Sequence, residues 1–368
     1  MCGTVLRFAF LLAVLAGPAA SEEVFFDNFD PPSLNEQTWC QCQISASRTP
    51  VNLWRDPHDQ VTSATITVNE SSLGGKACNP TCVVPLSTMQ MDGVESDQTN
   101  DETSEELGPP LTVRTNALAD SATGYVSYCD DDAIWRGRQA QQEGEEPCTQ
   151  RQEIRLHKHL KFPSAEIQTY TFRFRMSKAV LNNKDSIRWI TAQWKQDEYD
   201  EAGYAESLPK GPSPVVAQRY DDGILWVTVQ SDLCRCIVAS SSPTDTNGRP
   251  WTGGIPSDCR TIDARQPGAP KCAAPDLYAT YENGGVLASP FQTWVEMKYV
   301  MRFTAEEGNF IEVHQNGKRI LKLTGPIGYR LRGKPSLTKF KMGIYRDYIP
   351  QEDMIDVDWI RVSVDKSK

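Results

Sequence analysis

The stretch Lys339–Asp347, KFKMGIYRD, decides how the fold is read. Phe340, Met342 and Ile344 alternate with Lys339, Lys341, Gly343 and Tyr345. Successive residues of a β-strand point to opposite faces, so one face of this segment is apolar and the other holds two ammoniums, a glycine and a phenol. That period of two predicts a half-buried strand. Two further segments follow the same plan. In RQEIRLHKHL, residues 151–160, Arg151, Glu153, Arg155, His157 and His159 share one face. Ile154, Leu156 and Leu160 take the other, with Lys158 as the exception. In IRWITAQWK, residues 187–195, Trp189, Thr191, Gln193 and Lys195 oppose Ile190, Ala192 and Trp194. Each strand alone fits an ordinary solvent-facing surface. Taken together they predict one concave sheet face lined by Arg151, Arg155, Gln193, Lys195, Lys339 and Lys341, with Glu153 orienting the arginines.

Alternation of this kind dominates the rest of the chain, as in Gln60–Val68, Ile167–Met176, Ile224–Val229, Trp294–Phe303, Phe310–Gln315 and Asp356–Val364. Asn316-Gly317 is a hairpin signal, because both residues tolerate positive φ. Long amphipathic helix patterns are scarce. The expected architecture is all-β: a concanavalin-like jelly-roll sandwich with long disulfide-pinned loops, forming a single domain over residues 22–368. Two stretches interrupt it. Residues 92–110 contain an acidic run with seven acidic and no basic residues between Asp92 and Glu106, and end in Gly108-Pro109-Pro110. They read as a solvated insertion. Cys234–Cys272 is rich in Pro, Gly, Ser and Thr and contains four cysteines, which predicts a disulfide-pinned loop.

The first 21 residues have the charge, apolar run and small residues of a secretory signal peptide, which places the mature chain outside the cell, soluble and not spanning a membrane. Of 11 cysteines, Cys2 leaves with this leader. An even number in an exported chain predicts disulfides. The close pairs Cys40/Cys42, Cys78/Cys82 and Cys234/Cys236 lack zinc-type spacing, so no metal ligands are expected. Asn69-Glu70-Ser71 is a glycosylation acceptor if the host is a eukaryote. The formal net charge is -10. Such a balance excludes nucleic-acid binding through the overall field, so any anion site is a local patch. The chain is expected to act as a monomer.

RQEIR, QWK and KFKMGIYR resemble three motifs of the β-jelly-roll polysaccharide lyases, the group of alginate lyases, heparin lyase I and glucuronan lyase. Those families carry an Arg-x-Glu-hydrophobic-Arg strand, a Gln-x-His strand and a Tyr-Phe-Lys-x-Gly-x-Tyr strand, in this order. FFDNFD near the start and DVDWIRVSV near the end also look like the paired terminal strands of such folds. The resemblance implies β-elimination on an anionic, uronic-acid-containing polysaccharide. Removing the proton α to a carboxylate builds a dianionic intermediate, which cations and amide donors must neutralise. A base takes the C5 proton and an acid protonates the departing O4. By resemblance, Arg155 and Gln193 neutralise the carboxylate, Arg151 and Lys341 hold the substrate, and Glu153 aligns the arginines. Arg346, beside the tyrosine, is expected to contact substrate. Lys195 stands where the family has histidine, and Lys339 where it has the first tyrosine. Tyr345 and Lys195 are the leading candidates for proton transfer, followed by Lys339. His157 and His159 are further candidates for proton transfer or substrate contact, although structural histidines are the commoner reading.

The chemistry needs no cofactor; a structural calcium, if there is one, belongs near Asp130-Asp131-Asp132. Two other functions compete. One is a carbohydrate-binding protein or a degenerate lyase that binds without cleaving, which the two lysine replacements favour. The other is a glycoside hydrolase, which needs paired carboxylates. Asp197–Glu206 reads as a loop, and Asp356 and Asp358 as closing a sheet edge, so hydrolysis is the weaker reading.

Overall fold

A computed structural model describes residues 22–29, 35, 38–43, 52–55, 62–68, 149–156, 160–176, 189–197, 213–221, 223–232, 234–256, 258–261, 272, 276–303, 308–329, 336–347 and 352–365. The leader, Asn69, Cys78/Cys82, the acidic insertion, Asp130–Asp132, His157 and His159 lie outside these residues.

Two nine-stranded antiparallel sheets pack face to face. Strands are numbered in chain order. The first sheet runs β13 (Tyr278–Tyr281), β16 (Lys318–Thr324), β15 (Phe310–Gln315), β14 (Val295–Arg302), β7 (Ile167–Met176), β18 (Asp353–Asp365), β4 (Thr62–Val68) and β3 (Asn52–Arg55). The N-terminal β1 (Glu22–Asp27) also pairs with β18, with Phe26 opposite Arg361. The two ends of the described chain therefore close one sheet together, as FFDNFD and DVDWIRVSV suggested. The second sheet runs β12 (Asp258–Thr261), β11 (Cys234–Ser240), β10 (Ile224–Ser231), β9 (Val216–Asp221), β8 (Trp189–Asp197), β17 (Leu337–Asp347), β5 (Thr149–Leu156) and β2 (Trp39–Gln43), with the short β6 (Phe162–Pro163) on β17. This is a β-jelly-roll sandwich.

The apolar halves of the alternating strands fill the space between the sheets. Tyr170, Phe172, Phe174 and Met176 of β7 face Trp194 of β8 and Phe340 and Met342 of β17, all fully buried. Trp194 lies 4.5 Å from the ring of Tyr299 and 5.0 Å from that of Phe340. Phe340 in turn lies 5.2 Å from Tyr170. This aromatic stack bolts the two sheets together behind the polar face of β8 and β17. Offset and edge contacts of this kind add roughly 0.5–1.5 kcal/mol per pair beyond burial.

Asn316 and Gly317 take φ of 50° and 75° and join β15 to β16 in the tight turn that the sequence predicts. Two disulfides, Cys234–Cys272 and Cys236–Cys259, pin the segment between β11 and β13. These four cysteines pair with one another, as the disulfide expectation has it. Asp356 and Asp358 do not close a sheet edge: β18 runs between β7 and β4, inside its sheet. There Asp356 accepts hydrogen bonds from Thr65 Oγ1 and Arg175 Nε, and Asp358 accepts one from Arg173 Nη1.

Candidate active site

β5, β17 and β8 are neighbours in the second sheet, and their registers bring the polar faces into line. Lys341 pairs with Arg155 on one side and with Gln193 on the other. The row Arg155–Lys341–Gln193 thus crosses three strands. Tyr345 pairs with Arg151, Gly343 with Glu153, and Lys339 with Lys195. Directly opposed side chains on one sheet face sit about 4.5–5.5 Å apart at Cβ. Of the residues expected to line this face, the structure brings Arg151, Glu153, Arg155, Gln193, Lys195, Lys339, Lys341 and Tyr345 together.

Half of these groups are buried although they point away from the sandwich core. Glu153 and Gln193 are 1% exposed, Arg155 2% and Lys341 8%. A buried charge persists only with charged or hydrogen-bonding partners. Glu153 is the hub that supplies them. Its carboxylate accepts Arg151 Nε at 2.5 Å and, through its other oxygen, Gln193 Nε2. These bonds fix the arginine fork and choose the orientation of the glutamine amide. Burial by itself would raise the Glu153 carboxyl, but Arg151, Lys341 and the hydrogen bonds outweigh it and hold it below its usual 4.5. Arg151 also lies over the ring of Tyr345, 4.7 Å from its centroid. It therefore links the acid hub to the phenol. Burial, then the charge of Arg151, push the Lys341 ammonium well below its usual 10.5, with Lys195 and Lys339 acting in the same direction.

Gly343 explains why a glycine interrupts this strand. Its φ is 141°, and a Cβ there would fall 2.3 Å from the Gln152 carbonyl and 2.7 Å from Glu153 Cα. β17 bulges against β8 between Met342 and Tyr345, and the glycine lets β5 approach at that point. The strand still carries Lys341 and Tyr345 on one face, on either side of the gap above Glu153.

Two expectations need correction. Arg346 does not face the site. It follows Phe340, Met342 and Ile344 on the inner face, is fully buried, and pairs with the buried Asp353 of β18. Its guanidinium lies 5.5 Å from the Trp189 ring centroid. It ties the two sheets together at one end of the sandwich. Trp189 also leaves the polar face. A register shift in β8 between Ile190 and Ala192 puts Trp189 opposite Arg346 and turns Ile190 outward opposite Tyr345. Trp189 is buried edge-to-face against Tyr220, with ring centroids 5.6 Å apart. Among the described residues no cluster of three or more metal-ligating side chains occurs.

A family model described as polysaccharide lyase matches residues 98–361, more than half of the chain. The chain belongs to the polysaccharide lyase family. No curated protein matches its sequence. Among solved structures, the lyase is similar to an alginate lyase in complex with dimannuronate, at 15% identity and a TM-score of 0.37, covering 61% of this chain and 76% of that one. An endo-β-1,4-glucuronan lyase from the fungus Trichoderma reesei gives 12% identity and a TM-score of 0.36, covering 60% and 75%. An endo-1,3-β-glucanase from Streptomyces sioyaensis gives 10% identity and a TM-score of 0.39, covering 96% and 99%.

One part of this face escaped the sequence reading. Beyond β8 it continues onto β9 and β10, where Arg219 pairs with Trp226. The signal was present in ILWVTVQ, where Trp226, Thr228 and Gln230 alternate with the buried Leu225, Val227 and Val229.

Proposed function

We propose that this lyase is secreted and cleaves a uronic-acid-containing anionic polysaccharide by β-elimination. The observation that carries the reading is the row Arg155–Lys341–Gln193, sheltered on the outer face and tied to Glu153. A uronate carboxylate set over this row meets a guanidinium, an amine and an amide together. Those are the donors that a developing aci-carboxylate dianion requires, and they are in place before the substrate arrives. Losing one such donor typically costs about 2.7–4 kcal/mol of transition-state stabilisation.

The proton transfers fall to Tyr345 and Lys195, with Lys339 facing Lys195 across the strand pair. A base takes the C5 proton, and the C–H electron pair moves into the carboxylate. The C4–O4 bond then breaks as an acid protonates O4, leaving a C4=C5 double bond. Arg151 sits against the Tyr345 ring, so charge developing on the phenol oxygen is set beside a guanidinium. Disulfides in the loop after β11 favour an oxidising compartment, in keeping with a leader that exports the chain.

The test is a screen of the purified mature chain on alginate, glucuronan, heparin and pectin-like polymers, read by the ultraviolet absorbance of the unsaturated product. Activity should appear on at least one polymer and fall sharply in Tyr345→Phe and Lys195→Gln. Activity that survives both changes would refute the proton-transfer assignment. Binding with no absorbance on any polymer would favour the carbohydrate-binding alternative, which the lysines at positions 195 and 339 support. Asp356 and Asp358 are engaged by Arg175 and Arg173 in the other sheet, which supports elimination over hydrolysis.

A further inference from the structure

We propose that Arg219 and Trp226, on the outer faces of β9 and β10, form a second sugar-binding station that grips the same polymer chain away from the bond that is cut. The inference rests on the lyase reading and extends it to the length and mode of the substrate. The station follows from register. One transverse row runs Arg151–Tyr345–Ile190–Arg219–Trp226 across five adjacent strands. It shares its sheet face with the row Arg155–Lys341–Gln193, which lies beyond the Glu153–Gly343 pair on β5 and β17 and continues to Ala217 and Thr228 on β9 and β10. Neighbouring strands lie about 4.8 Å apart, so Arg219 is roughly 10 Å and Trp226 roughly 14 Å from Tyr345 along the row. Such spans suit the next residues of a polymer whose reacting unit lies over β17.

The side chains have the right chemistry. The buried Ile190, turned outward by the β8 bulge, gives an uncharged floor between the phenol and Arg219. Arg219 is half-buried, and its Nε donates to Thr228 Oγ1 at 3.1 Å, which fixes the direction of the guanidinium. A planar guanidinium held in this way matches a carboxylate. Trp226 is half-buried and stands beside it, while Leu225, Val227 and Val229 of the same strand fill the core. An indole that the core does not need, next to an arginine, offers an apolar platform for a sugar ring and a counter-charge for its carboxylate. The row beside it on β9 and β10 contributes the uncharged Ala217 and Thr228. An enzyme with this second grip acts within long chains and loses efficiency on short ones.

The test uses the mature chain and a length series of oligosaccharides prepared from whichever polymer it cleaves. The readout is the ratio of kcat/KM for the longest to the shortest cleaved substrate. In Trp226→Ala and in Arg219→Gln this ratio should fall about tenfold or more, and Trp226→Phe should recover most of the loss. Equal losses on long and short substrates, or no loss on either, would overturn the station. A separate binding arm measures affinity for alginate, glucuronan and heparin by calorimetry. If the wild type binds one of them but cleaves none, the lyase reading fails while the station stands, provided that both variants weaken binding about tenfold. If neither variant weakens binding, the station falls.

Discussion

Lys341 and Glu153 are the two residues on which the electrostatics of the site turn. Lys341 is sheltered among Arg151, Lys195 and Lys339, with Glu153 as its opposing charge, and its ammonium is held well below the usual value by burial and Arg151. A bound carboxylate adds the missing negative charge and pulls this amine back toward its ordinary range. At a pH between the amine's value in the free protein and its higher value in the complex, binding of an anionic polymer should therefore take up protons, and affinity should fall as pH rises across that interval. Calorimetry in buffers of different ionisation enthalpy checks this; identical heats in all buffers would contradict it. Glu153 works in the opposite sense. Its carboxyl is held below 4.5 in the folded protein, so its stabilisation is present above that value and is lost as pH falls through the lowered one. Glu153→Gln leaves Arg151 and Lys341 around an uncharged amide and should cost about 3 kcal/mol at neutral pH. In urea melts its deficit should shrink under acid conditions.

At the scale of elements, β17 is decided by one glycine and one arginine. Gly343 sits at φ 141° against the β5 backbone, so Gly343→Ala must push β5 away or twist β17. The expected cost is about 1–3 kcal/mol, with a larger loss of activity than of stability, because the row through Lys341 is displaced. A variant with normal melting and normal turnover would show that the close approach is unimportant. Arg346 shows how a motif can mislead. The period-two rule, carried one step past Ile344, puts it on the inner face, where it meets Asp353. Trp189 had no such local warning. Its turn to the core comes from a bulge in β8 set by partners in β9 and β17, and nothing in IRWITAQWK announces it.

For the whole molecule, the site depends on the aromatic stack that joins the sheets. Trp194, Phe340, Tyr170 and Tyr299 lie behind the face that presents Gln193 and Lys339. Trp194→Ala should cost about 3–5 kcal/mol and loosen that face, seen as a drop in melting temperature with an exposed-core fluorescence signal. A loss below about 1 kcal/mol would mean that the sheets are held elsewhere. The charge of the molecule also acts at this scale. A chain of formal charge -10 gathers Arg151, Arg155, Lys195, Lys339 and Lys341 on one sheltered face, so an anion is drawn by the local field rather than by the net charge.

The sequence by itself determined the alternation that makes nearly every described segment a strand, the hairpin at Asn316-Gly317, and the chemistry of each polar face. These features are local: side-chain period and φ preference act over a few residues. Only the tertiary structure decided that β17 lies between β5 and β8, that Lys341 stands in register between Arg155 and Gln193, and that the face continues to Arg219 and Trp226. Strand order and register are set by packing between residues distant in the chain. A bulge of one residue, as in β8, exchanges a tryptophan for an isoleucine on the surface that the substrate is proposed to meet.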